Sequence, residues 1–199
     1  MVAVKQSARV LHGKALSSMR TAMTAFNSPY DDGRCTSVLL HLQHSFEMLL
    51  KAALAQAGKP VFDKRTGRSL SFEQSVRQSQ QLGGLKLKDE EAGTLRAVDA
   101  MRDDEQHWFT EVSEGLLYLH ARACVTLFDE VLSRVFKQRL ADHLPARVLP
   151  ISTEPPQDFQ TLVDREYANI AELLKPGRRA RTDARARIRA LLALEAHVN

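Results

Sequence analysis

The decapeptide Met101–Thr110, "MRDDEQHWFT", gathers the groups that phosphoryl chemistry on a nucleic acid needs. Arg102 offers a planar fork that matches a phosphate through two hydrogen bonds. His107 is of the one side-chain type whose ordinary pKa lies near neutrality, so it can take or give a proton. Asp103 stands four residues before His107 and on a helix shares its face, where a carboxylate can orient an imidazole. Trp108, the chain's only tryptophan, is a platform on which a base can stack. The competing reading is a solvated helix face with Trp108 in the core, and spacing alone does not decide between the two. Arginine and histidine recur at a comparable separation at Arg34 and His41. That second pair is read as a chance match, and its substitution is expected to change little.

The chain around this stretch has 199 residues, 44% of them hydrophobic, which fits one compact domain with a real core and room for an appendage. It has no run of about eighteen apolar residues, so no membrane span is expected. The start, "MVAVKQSARVLHGK", lacks the continuous apolar core of a signal peptide, so a cytoplasmic protein is expected. Cys35 and Cys124 read as free thiols in a reducing compartment and are too few for a structural zinc site.

Charge is unevenly spread. From Lys175 onward there are seven basic and two acidic residues; taking these from totals of 28 and 24 leaves the body one charge negative and the tail five positive. Attraction to a polyanion is therefore expected mainly from Arg178, Arg179, Arg181, Arg185 and Arg189. The tail pattern sets Arg181, Arg185 and Arg189 on one helical face and Ala184, Ile188, Leu191 and Leu192 toward another.

Periodicity predicts helices throughout. The first, Ala3 to Phe26, carries Val4, Ala8, Leu11, Ala15, Met19, Ala22 and Phe26 at spacings of three and four. "NSPYDDG" stops it. A second, from about Thr36 to Ala57, places Val38, Leu42, Phe46, Leu49, Leu50 and Ala53 on its core side and ends at Gly58 and Pro60. "VFDKRTGRS" reads as a loop or small hairpin. A short third helix opens with Ser71 and Gln74 as a capping box and stops at Gly83-Gly84. A fourth runs from about Lys88 into the quoted stretch, and a fifth spans about Ser113 to Leu144. Residues 1–145 are thus expected to form an all-α bundle, 146–157 a proline-rich linker and 158–199 a basic helical segment, with helices from Asp158 to Lys175 and about Asp183 to His197. That last segment is the possible start of a further module, and the chain a possible fragment.

The helix "SFEMLLKAALAQAG", followed later by "RDDEQHW" and "LYLHARACVTLFDE", resembles the HEPN family, in particular a bacterial branch carrying RDDxQH before LYLxxxAxxTLFD. The resemblance covers roughly residues 20 to 145 and extends less diagnostically through "LPISTEPPQDFQ". It implies a HEPN-like bundle and either a metal-independent RNase or a non-catalytic binding module. Arg102, Asp103 and His107 take the family's motif positions, with Gln106 and Trp108 beside them. Glu47 matches the polar residue that often flanks the motif from the second helix; an exposed ion pair with Lys51 is its alternative, and His44 is a weaker match. The resemblance further implies RNA as substrate, no cofactor or metal, a homodimer and, for toxin or defence members, an antitoxin partner.

Overall fold

A computed structural model describes residues 4–63, 66–107, 112–144 and 159–176, together with 181, 184, 185, 187, 188, 191 and 192. For 107, 159–163 and 165 it describes the backbone alone. The described residues form six α-helices and no strand beyond a single bridge, an all-α protein as the periodicity predicts.

Helix α1 (Gln6–Phe26) and α2 (Arg34–Gln56) make an antiparallel hairpin and the most extensive helix pair. The turn between them closes at Gly33, whose φ of 64° suits a residue without a Cβ. All six residues expected on the core side of α2 are buried, and so are Leu39, Ala52 and Leu54. A helix apolar on more than one side belongs in the middle of a bundle. Accordingly α2 touches α1, α3, α4 and α5, and Phe46 meets Phe128 edge to face at 5.5 Å.

The segment after α2 is the small hairpin: Phe62 bridges Ser69, and the Leu70 amide donates to Val61 at 3.0 Å. Helix α3 (Phe72–Gln80) opens on the expected capping box, with Gln74 N–H donating to Ser71 Oγ at 3.2 Å and Ser71 N–H to Gln74 Oε1 at 2.8 Å. Helix α4 (Asp89–His107) begins with Asp89, Glu90 and Glu91, where a helix dipole favours negative charge. Buried Glu91 binds Arg134 near the end of α5 and fixes α4 antiparallel to α5.

Helix α5 (Glu114–Phe136) is capped by Ser113. It ends eight residues before the expected Leu144, because Lys137 turns left-handed at φ 56°. Asp129 then accepts from the Leu140 amide at 2.6 Å and from Arg139, drawing the chain back as a 3₁₀ turn over Leu140–His143.

The expected linker 146–157 lies outside the described residues. Beyond it, α6 (Phe159–Leu173) and the described tail residues share a small second cluster of Ile170, Ala184 and Leu191, against which Leu119 and Ala123 of α5 pack. Buried Glu166 ties the two together by accepting from Arg187 at 2.7 Å, and within α6 it also accepts from Asn169 at 3.2 Å. Ala184, Ile188 and Leu191 face inward as the pattern predicts, but Leu192 does not: it is 58% exposed.

Candidate active site at the α2, α4 and α5 junction

The last turns of α4 meet the first turns of α2 and the start of α5, and polar side chains make the join. Thr36 Oγ1 donates to Glu105 Oε1, and Arg34 forms an ion pair with Glu114 at the head of α5. Arg34 also donates to the Phe26 carbonyl at 3.0 Å and lies 5.7 Å over the Phe26 ring. It therefore pins α1, α2 and α5 together, which corrects the expectation that its removal matters little. His41 bonds Ser18 of α1 at 3.2 Å. Burial and Glu105 push the Cys35 thiol up to about 11, so it is no nucleophile at neutral pH.

Arg102 is the centre of the join. Its Nη2 reaches Asp99 at 3.1 Å and Asp103 at 2.8 Å, and its side chain is 23% exposed. Its Nε is buried without a hydrogen-bond partner, as is Glu105 Oε2. It is thus a half-buried anchor and not a free surface group, so Arg102→Ala is expected to lower melting as well as to remove a charge. Burial pushes the Asp99 carboxyl up, against Arg102 and a hydrogen bond from Gln43 that favour its charge.

The residues singled out in the sequence fall into three groups. Arg102 and Asp103 are together, paired at 2.8 Å. His107 is the final residue of α4, its side chain outside the described part, and Gln106 is exposed. Glu47 pairs with Lys51, as its alternative reading has it, but the pair is not exposed: Lys51 is fully buried and also donates to Ser69 at 3.1 Å. The α2 side chain that meets Asp99 is Gln43, one turn earlier and 6% exposed. His44 is exposed. Trp108, Arg178, Arg179 and Arg189 lie outside the described residues; Arg181 and Arg185 are exposed.

Sequence reasoning missed Asp99, Gln43, Thr36 and Glu105. Asp99 was within reach, because three residues separate it from Arg102 on one helix. The α2 pair needed the register of α2 against α4, which no local pattern carries. A separate open cleft of about 700 Å³ lies between α3, α4 and Leu192, but its two arginines, Arg77 and Arg96, are both bound to Glu73. Among the described residues, no group of three or more His, Cys, Asp or Glu side chains is placed to hold a metal ion, and no helix is long and apolar enough to cross a membrane.

A family model described as a domain of unknown function, DUF3644, matches residues 10–180, most of the chain and all of this junction. The chain belongs to the DUF3644 family. A second model, DUF8611, also described as a domain of unknown function, matches residues 162–199. No curated protein and no solved structure matches. The DUF3644 match runs through α6, so what the family shares extends past the expected end of the bundle at residue 145.

Proposed function

We propose that this DUF3644 protein is a metal-independent endoribonuclease of the HEPN kind, of toxin or defence type. The observation that carries the reading is the setting of Arg102: a half-buried guanidinium, held from beneath by Asp99, five residues before a histidine that ends its helix. In the reaction the ribose 2′-oxygen attacks the adjacent phosphorus and the bond to the 5′-oxygen breaks. The 2′-hydroxyl gives up a proton and the leaving oxygen gains one, and His107 serves as base or acid in that exchange. Arg102 neutralises charge growing on the phosphoryl oxygens. The products are a 2′,3′-cyclic phosphate and a 5′-hydroxyl. DNA has no 2′-hydroxyl and is not cut. Exposed Arg181 and Arg185 add sequence-independent attraction to the RNA backbone.

The active unit in this reading is a homodimer. Helix α4 is unbroken through His107, so Arg102 and His107 stand roughly 140° apart around its axis. Two α4 helices facing each other across a two-fold axis bring two arginines and two histidines to one cleft. Co-expressing wild-type and His107→Ala chains in equal amounts tests this. Activity falls to roughly a quarter if both histidines are needed in each pair, since only that fraction of randomly formed dimers is fully wild-type. Activity near one half, or a monomer in light scattering at assay concentration, contradicts it.

One observation favours a second reading, a non-catalytic RNA-binding or protein-interaction module. Arg102 is shared by two carboxylates, with Asp104 and Glu105 next to them, so the local charge opposes a polyanion. Binding without cleavage would select that reading, and an antitoxin partner belongs to the first.

A further inference from the structure

We propose that Asp99 and Asp103, which share one nitrogen of Arg102, have opposite roles: Asp99 positions the guanidinium, and Asp103 holds the place that an RNA phosphate takes. The inference rests on the nuclease reading for its catalytic arm and on geometry alone for its binding arm.

The two carboxylates differ in everything except their shared partner. Asp99 is 28% exposed at the side chain, and Gln43 of α2, itself 6% exposed, favours its charged form. Withdrawing it would strand a charge in a half-buried place and break its hydrogen bond from Arg102. Asp103 is 53% exposed and pairs with Arg102 at 2.8 Å. It leaves into water at small cost, because an exposed ion pair is worth little. An incoming phosphate supplies the same charge and accepts the same hydrogen bond. While Asp103 remains, two carboxylates outweigh one guanidinium and repel RNA. Once it swings away, the Asp99 and Arg102 pair is neutral and the fork is still aimed by α2 through Gln43. The order Gln43, Asp99, Arg102 therefore fixes direction, and Asp103 sets the threshold for entry.

The test compares Asp103→Asn, Asp99→Asn and the charge-neutral Gln43→Leu. Binding is read by fluorescence anisotropy with a 2′-O-methyl single-stranded oligonucleotide on a His107→Ala background, so that no cleavage intrudes. Asp103→Asn should tighten binding by roughly 3–10-fold, while Asp99→Asn and Gln43→Leu should stay within about twofold. In the active background, Asp103→Asn should lower KM and leave kcat within about twofold. Asp99→Asn and Gln43→Leu should lower kcat by about tenfold with little change in KM, a split that mere loss of stability would not produce. Asp99 and Asp103 variants moving the same constant in the same direction would overturn the proposal, as would wild-type and Asp103→Asn chains that both fail to bind. A wild-type chain that binds RNA and never cuts it would instead sink the nuclease reading, and the binding arm would still decide this one.

Discussion

Arg102→Ala is expected to lower RNA cleavage by about 10²–10³-fold, the usual effect of removing one preorganised donor to a charge that grows in the transition state. Arg102→Lys keeps the charge but loses the fork, so it should recover less than a tenth of the lost rate. The side chain is also part of the fold. Without it, Asp99 keeps only Gln43, and the alanine variant should be destabilised by about 1 kcal/mol, or ~2–4 °C in Tm. Initial rates and thermal melts on the same preparations separate the two effects, since a loss of a few degrees leaves the chain folded at assay temperature. Full activity in Arg102→Ala would leave Arg102 a structural anchor with no part in catalysis.

The largest expected effect on stability comes from His120. It lies wholly buried in α5, and neither ring nitrogen has a hydrogen-bond partner. Burial lowers its pKa to about 4, so the folded protein keeps it neutral. The unfolded chain takes up the proton at its ordinary value near 6.5. Between those two values the unfolded state binds more protons, so stability is full above about pH 6.5 and falls as the pH drops toward 4. The loss attributable to this group approaches about 3 kcal/mol at pH 4, from about 1.4 kcal/mol per pKa unit. His12, also lowered by burial, acts in the same direction. Denaturant unfolding of wild-type and His120→Leu chains at pH 7.5 and pH 4.5 measures the difference. Leucine leaves no unsatisfied polar atom, so the variant should be near wild-type stability at pH 7.5 and lose about 2–3 kcal/mol less on acidification. Equal losses in the two proteins would show that His120 is not neutral in the folded state.

Helix positions were legible in the chain because spacings of three and four recur wherever a helix buries one side. The Ser71 and Gln74 cap and the stop at Gly58 are local chemistry and were equally readable. The early end of α5 was not, since the apolar pattern continues through Phe136 to Leu140 and the break rests on Lys137 turning left-handed. Arg102 stood out by type, but its anchoring did not. Whether an arginine is a free surface group or a half-buried strut depends on what Gln43 brings from α2, 59 residues away in sequence and adjacent in space. Glu47 shows the same limit. Its i,i+4 relation to Lys51 was visible, while the burial of Lys51 that makes the pair binding came from packing on four sides of α2.

The most direct measurement of the central claim is cleavage of single-stranded RNA in excess EDTA by the intact protein and by His107→Ala, with the product ends identified. The account predicts cutting in chelator, fragments ending in a 2′,3′-cyclic phosphate and a 5′-hydroxyl, no cutting of DNA of the same sequence, and a rate at least 10²-fold lower in the variant. Cleavage that vanishes in EDTA, or that survives unchanged in His107→Ala, would contradict it.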